Sequence, residues 1–463
     1  MSEANAATVS QRGKTWDNRR NETGGSVAAG GALTCFVTSI AEPAIRGSSL
    51  APFRVRSFRF QWSADLATSW SFEMETLILG WYILVETESV LWLTLFASLQ
   101  YTGTLVAPMI GVIAGRTGYR RTLCGLRVFY TAQATILMTL AYAGLLSPYS
   151  AFAVAAAMGV FRPSDLTMRY ALVGQTIPAG HLTGAMSVSR ATVDSARVAG
   201  ALAGAGMVAA LGLGPAYTAI TALYAIGFLL TLGVARDTPA EEVAQATPDA
   251  VPPMRDSPWR DLGNVCLYVW RTPHLLASMC LAFLVNLTAF PITSGLLPYV
   301  AKDIYATGQT GLGHLAAGFA FGALLGSLVL TRFGGRIHAG RMMISFCALW
   351  YAALLAFAHI KTPDIGIPLL MFAGFTQSIS LIPLSTMLIR GADQRYRGGV
   401  LGLRMLAVYG LPLGLLIAGP LIDGFGYPVM VTIYALFGLA VIALIMLRWR
   451  SDIWSVSSPA NQR

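Results

Sequence analysis

The sequence predicts an all-α polytopic membrane protein in which twelve transmembrane helices form two six-helix bundles related by a pseudo-two-fold. Three observations predict it: an apolar composition, apolar runs of spanning length in two groups of six, and residues that recur at matched positions in the two groups. Hydrophobic residues make up 55% of the 463-residue chain and charged residues only 12%, with 47 glycines and a mean hydropathy of +0.60. That balance is far from a soluble domain's.

Runs of about 20 apolar residues, enough to cross roughly 30 Å of hydrocarbon, fall near 57–84, 89–114, 122–145, 149–175, 182–211 and 214–236. Six more lie near 274–298, 309–331, 341–360, 365–389, 399–422 and 427–447. Residues 1–56, poor in apolar periodicity and rich in Gly, Ala, Ser and Arg, are expected to be a disordered cytoplasmic tail or to begin at a start site placed too early. The two six-helix bundles then cover 57–236 and 274–450, and 451–463 form a second cytoplasmic tail. Between the bundles, 237–273 reads as a cytoplasmic linker, Pro- and Ala-rich at first. Its second half, "SPWRDLGNVCLYVWRTP", opens on a Ser257 cap and Pro258. It places Trp259, Leu262, Cys266 and Val269 on one face of a short amphipathic helix suited to the inner leaflet; a plain linker turn is the alternative.

The net charge of +10 raises the question of a nucleic-acid partner, and the placement of the charges answers it in the negative. With both termini cytoplasmic, all but seven of the 32 Lys and Arg residues fall on the inner side, Arg127 counted with the 2/3 loop. The exceptions are Lys302, Lys361 and the intraspan Arg162, Arg169, Arg190, Arg197 and Arg404. Such asymmetry is the positive-inside pattern, here of a bacterial inner membrane. The five cysteines show no metal-ligand or disulfide spacing, so no metal is expected. H-E-x-x-H and G-x-S-x-G are absent and no His falls in mid-span, which argues against an enzyme and leaves no catalytic residue to name. No phosphate-cradling glycine loop supplies ATP drive, and no filter-like segment or acid ring marks a channel.

The halves resemble each other. At an offset of 216, Arg116, Gly118 and Arg120 of "GRTGYRR" fall on Arg332, Gly334 and Arg336 of "TRFGGRIHAGR"; at 214, Arg190, Gly200 and Gly212 fall on Arg404, Gly414 and Gly426. Two nearly equal offsets argue for a duplicated unit, repeated about an axis along the membrane normal.

At this point the sequence resembles the major facilitator superfamily. "GVIAGRTGYRR", Gly111 to Arg121, is similar to that superfamily's signature between its second and third helices. The resemblance implies a cytoplasmic gate at Gly111, Gly115, Arg116, Gly118, Arg120, Arg121, Arg332, Gly334 and Arg336, with Gly115 standing where the signature carries an acid. "FEMETLILGWYILVETESV", "LLPYVAKDI", "GLGHLAAGFAFGALLGSL" and "DLGNVCLYVWRTPHLL" look like the transmembrane secretion effector branch, which includes the enterobactin exporter. That likeness implies efflux of a siderophore, drug or metabolite. The Gly-Pro motif that the superfamily's antiporters often carry in the fifth helix is missing: "GALAGAG" has no proline.

One question remains from the residues themselves. The first span, "WSADLATSWSFEMETLILGWYIL", carries three acids, Asp65, Glu73 and Glu75. At about 100° per residue, Gln61, Thr68, Ser69, Glu73, Glu75 and Thr76 all fall within about 80° of Asp65. An unpaired carboxylate at mid-bilayer costs several kcal/mol, so this face must line a wet cavity or meet cations. The cations available are in "FRPSDLTMRY", with Arg162, Asp165 and Arg169, and in "SRATVDSARV", with Arg190, Asp194 and Arg197. Each triplet shares one helix face. They predict either a proton-linked charge network or plain ion pairs that lock helices together.

The second half offers Asn286, Gln377 and Arg404 as candidate substrate contacts, with plain interhelical hydrogen bonding as the alternative for the two amides. Gly200, Gly204 and Gly206, with Gly410, Gly414 and Gly419, are expected to let helices approach closely. The sequence therefore predicts a monomeric secondary transporter with a small-molecule substrate, the bilayer as partner, no cofactor and the proton gradient as energy source. An importer of the same fold, or a non-transporting or lipid-handling protein, are the alternatives.

Overall fold

The computed structural model describes residues 51–235, 258–333, 339–393 and 396–455, except 105. Among the described residues every regular element is helical. The first group comprises α1 (Arg56–Thr87), α2 (Val90–Leu99), α3 (Ala107–Thr117), α4 (Tyr119–Ala143), α5 (Pro148–Thr176), α6 (Ala179–Leu211) and α7 (Leu213–Leu232). After α8 (Pro258–Arg271) come α9 (Pro273–Thr288), α10 (Gln309–Phe333), α11 (Ala339–Ala358), α12 (Pro363–Arg390), α13 (Arg397–Ala407), α14 (Gly410–Phe425) and α15 (Tyr427–Ser455).

Among the described residues, seven stretches are long and apolar enough to cross a membrane: Tyr119–Ala143, Leu213–Leu232, Gln309–Leu330, Ala339–Ala358, Pro363–Leu388, Gly399–Phe425 and Tyr427–Trp449. α1, α5 and α6 are longer still, at 32, 29 and 33 residues; each carries charged residues along its length, which lower its hydropathy. The chain stops and restarts where its composition dictates. Ser147 and Ser150 form a reciprocal capping box ahead of α5, with Pro148 in the first turn. The repeat-matched Gly212 and Gly426 join α6 to α7 and α14 to α15 with φ of 86° and 83° and nearly extended ψ of −179° and 159°. Only glycine occupies that region without strain, so the two halves turn the same corner in the same way.

Three expected spans are broken. The run 89–114 is interrupted between α2 and α3, where Gly103 meets α5: a Cβ there would lie 2.1 Å from the Val160 carbonyl oxygen, and one on Gly159 would lie 1.9 Å from that of Leu99. Backbones this close leave no room for side chains. The run 274–298 ends as α9 at Thr288 and continues in short turns, Phe290–Ser294 and Leu297–Tyr299, spaced by Pro291, Gly295 and Pro298. The run 399–422 is divided between α13 and α14 at 408–409.

Edges differ as well. Residues 51–55, expected in the tail, fold back: Ala51–Arg54 is a single 3-10 turn, and Phe53 packs edge-on against Phe58 and Trp62. α15 continues to Ser455, past the expected end at 450, across a break at Trp449 (φ −125°, ψ 24°). The remainder of both tails, 1–50 and 456–463, and linker residues 236–257 lie outside the described residues. α8 supplies the linker helix, and of the face expected to meet the inner leaflet Val269 is buried while Cys266 is exposed. Val265 and Val269 are buried, Tyr268 stacks on Tyr396 at 4.6 Å, and Cys266 is exposed with Leu267 and Trp270. The side chains of Trp259 and Leu262 lie outside the described residues.

Two large apolar cores result, beside a small cluster of Phe58, Val173, Ile177 and Ala185. One surrounds Phe72, Tyr130, Tyr217 and Tyr224; the other surrounds Trp350, Tyr351, Phe357 and Tyr427, and takes in Val90 and Ala97 of α2. The groups meet where α6 packs on α10 and α2 on α14. At these contacts small residues permit the approach. A Cβ on Gly313 would lie 2.5 Å from that of Ala205, and one on Gly419 would lie 2.5 Å from Thr94 Oγ1. Both contacts lie toward the same end of the bundle, the end at which α2 and α10 begin and α6 and α14 finish.

Candidate functional site

A cavity of about 310 Å³ lies between the two groups. α1 gives it Glu73, Thr76 and Leu77, α5 gives Arg162, and α6 gives Arg197. α9, α10 and α12 give Asn286, Phe319 and Gln377. The three broken spans each contribute at their break: Gln100 and Tyr101, then Phe290 and Thr293, then Val408 and Leu411. Irregular backbone at membrane depth is tolerated where it lines a cavity, and discontinuous helices are a recurrent way of building transporter sites.

The single acidic face expected on α1 divides three ways. Glu73 alone of the three acids lines the cavity, with its Oε1 3.5 Å from Arg162 and 3.9 Å from Arg197. Arg162 is held further: it donates to Thr76 Oγ1 at 2.8 Å and Gln100 Oε1 at 2.9 Å, and lies 5.2 Å over the Phe72 ring. Arg169 of the second cluster also lies near that ring, 5.8 Å from its centroid.

Asp65 stands in this second cluster, away from the cavity. It pairs with Arg127 of α4 at short range and with Arg169 of α5 at 3.6 Å, and Arg169 reaches Asp165 at 2.5 Å. Arg127 also donates to Thr231 Oγ1 and, at 3.1 Å, to the Gly227 carbonyl; Arg169 donates to Ser69 Oγ at 2.8 Å. All four charged residues are buried. Two acids and two arginines balance in charge and neutral groups meet part of the guanidinium forks, while Arg127 Nε and Asp165 Oδ1 have no hydrogen-bond partner among the described residues.

Glu75 is in neither cluster. It is 1% exposed, accepts a 2.7 Å hydrogen bond from Tyr224 of α7, and its Oε1 has no hydrogen-bond partner among the described residues. Gln133, equally buried, is its neighbour. The reason for the split is angular. Glu73 and Glu75 lie about 80° to either side of Asp65, hence about 160° apart, so one reaches the cavity while the other is driven into the core.

The expected charge network is therefore two clusters and a separate pair. Arg190 and Asp194 form an i,i+4 bridge at 3.2 Å with Arg190 61% exposed, and join neither cluster. Asn286 and Gln377 line the cavity, though Asn286 Nδ2 donates to the Ala282 carbonyl of its own helix. Arg404 does not line it; it lies near Arg190, its repeat-matched partner. Of the expected gate, Gly118 joins α3 to α4 at φ 95°, and Arg120 donates to the Leu232 carbonyl at 2.7 Å, closing the end of α7. A Cβ on Gly111 would meet nothing, and Arg121 and Arg332 are exposed. Gly115 and Arg116 fall in the last turn of α3, while Gly334 and Arg336 lie outside the described residues.

Among the packing glycines, Gly200 and Gly204 receive α1, with Cβ positions 2.8 Å from Glu73 Cβ and 3.0 Å from Met74 Cα. Gly410 and Gly414 receive α9, at 2.7 Å from the Phe283 oxygen and 1.9 Å from the Leu287 oxygen. Gly206 is the exception, facing open space. Sequence reasoning missed Arg127, Tyr224, Gln100 and Tyr101, while Thr76 stands on the polar face it had drawn. Arg127 was available as a sixth intraspan arginine, five residues inside an apolar run; the others carry no signal until the helices are packed.

Compared with known proteins, residues 66–413 match the family profile described as Major Facilitator Superfamily. No curated protein matches the chain. Among solved structures, the chain is similar to the nucleoside transporter NupG (D323A mutant), with a TM-score of 0.65 at 15% identity over 84% of this chain and 99% of that one. It is similar to the POT family transporter PepTSo, with a TM-score of 0.67 at 12% identity over 86% and 98%. A D-xylose–proton symporter gives 0.63 at 11% identity over 84% and 96%.

Proposed function

Because the chain belongs to the major facilitator superfamily, we propose that it is a proton-coupled transporter that exports a small organic molecule by alternating access. Membership makes the protein an integral membrane protein and a secondary transporter rather than an enzyme. The finer reading is ours: twelve spans in two six-helix bundles, both termini cytoplasmic, in a bacterial inner membrane, acting as a monomer. Its direction rests on the likeness to the secretion effector branch in "FEMETLILGWYILVETESV" and "LLPYVAKDI".

Proton coupling is carried by one observation, the place of Glu75. Asp65 sits between two arginines, so its charge is met. Glu75 is as buried, has Tyr224 as its hydrogen-bond donor, and forms no ion pair among the described residues. A neutral acid costs far less to hold there than a carboxylate. A conformation that wets this site releases the proton, and the dry conformation takes one up. The site stands next to Thr76, which donates to Gln100 of the cavity wall at 3.3 Å, so proton and substrate sites share a helix turn.

The test compares metabolites inside and outside cells expressing wild type, Glu75→Gln or empty vector, with and without an ionophore that collapses the pH gradient. Export predicts a compound enriched outside with wild type alone, and only while the gradient stands. Glu75→Gln is expected to fold and to lose that enrichment. Full gradient-driven export by the variant would sink the coupling role. The same compound enriched inside would favour import, the reading supported by the likeness in fold to a proton symporter.

A further inference from the structure

The charged residues of the cavity wall are unequal in number: one carboxylate, Glu73, faces two guanidinium groups, Arg162 and Arg197. The two arginines are also unequally engaged. Arg162 is 27% exposed and has Glu73 at 3.5 Å, hydrogen bonds to Thr76 and Gln100, and the face of Phe72. Arg197 is 48% exposed and has Glu73 at 3.9 Å, a distance beyond hydrogen bonding. Glu73 is shared between the two, so the pair of arginines carries one positive charge beyond the carboxylate that meets them. Arg197, the more exposed of the two and without the hydrogen bonds that hold Arg162, is the one free to turn toward a bound molecule.

The rest of the wall is neutral. Phe96, Phe290, Phe319 and Leu411 supply apolar and aromatic surface, and Asn286 and Gln377 supply hydrogen bonds. From this arrangement we infer that the substrate is an organic monoanion, its acid group docked on Arg197 and its apolar or aromatic body lodged between α9, α10 and α12. One negative charge brings the cavity to neutrality. A cation would face two arginines with a single, already engaged carboxylate, and a dianion would leave an excess negative charge, both unfavourable in a desolvated site. About 310 Å³ suits a molecule at the small end of the usual ligand range. The inference rests on the transporter reading and names the substrate class of that same cavity.

It is tested by equilibrium binding to the purified full-length protein in detergent, with no gradient present. The probes are three compounds sharing one body: 4-phenylbutyrate, 4-phenylbutyramide and 4-phenylbutylamine. Wild type is expected to bind the anion at least about tenfold more tightly than the amide, with the amine weakest. Arg197→Gln is expected to remove the preference of the anion over the amide while leaving the unfolding temperature unchanged, and Arg197→Lys to keep part of the preference. Equal binding of the three, preference for the amine, no binding at millimolar concentration, or an anion preference surviving in Arg197→Gln would each overturn the assignment. Because no gradient enters the measurement, its failure leaves proton coupling untouched, and failure of the Glu75→Gln test leaves the anion preference untouched.

Discussion

The two halves share a scaffold and differ in what they bury. The first half buries Asp65, Glu75, Arg127, Asp165 and Arg169; among the described residues the buried polar groups of the second half are Ser278, Thr288, Thr293, Gln309, Thr376, Gln377 and Ser380, all neutral. Yet Gly200 and Gly414, matched by the repeat, each let a helix settle on its neighbour, α6 on α1 and α14 on α9. The contacts that set helix positions recur in both halves, whereas buried charge among the described residues is confined to the first.

The comparison breaks most visibly if the ion cluster is opened. Arg127→Ala leaves Asp65 buried with a single, shared arginine and is expected to cost about 3–5 kcal/mol, seen as lost folded protein or a sharply lower unfolding temperature in detergent. Asp65→Asn combined with Arg127→Gln should cost less than the sum of the single changes, since the two side chains meet. A cluster that contributes only at the surface would instead give additive, small effects. The shared scaffold predicts the next effect in size. Gly200→Ala and Gly414→Ala should each destabilise by about 1–3 kcal/mol, the second more because its methyl meets the Leu287 carbonyl rather than a side chain; Gly206→Ala, facing open space, serves as the control and should be neutral. The smallest effect belongs to the neutral half. Tyr351→Phe removes a 2.6 Å hydrogen bond to Thr288, which keeps its own bond to the Leu284 carbonyl, so about 1 kcal/mol is expected. A loss as large as that of Arg127→Ala would erase the distinction between the halves.

Much of this was legible beforehand. Apolar length and the placement of basic residues reveal a polytopic helical chain because both are one-dimensional properties. The acids of the first span announce themselves because a carboxylate in hydrocarbon requires a reason. What escaped depends on three-dimensional packing. Glu73 and Glu75 differ by two positions, a step that on a helix exchanges one wall for another, and only the neighbours of α1 decide which wall is wet. Arg127 was counted with a loop because it lies near the start of an apolar run, where charge is ordinary; burial against Asp65 follows from how α4 meets α1. The breaks at 100–106, 289–296 and 408–409 were hidden because a hydropathy window averages across them, although Pro291, Gly295 and Pro298 mark the second.

Those breaks have a consequence for tolerance to substitution. A residue inside a spanning helix answers to its neighbours along the whole ladder of hydrogen bonds, so changing it risks the fold. Tyr101 faces the cavity past the end of α2, Thr293 from the short helical turn that follows α9, and Val408 from the join of α13 and α14. Substitutions at these three seams are expected to change the cavity wall while leaving the long helices on either side as they are.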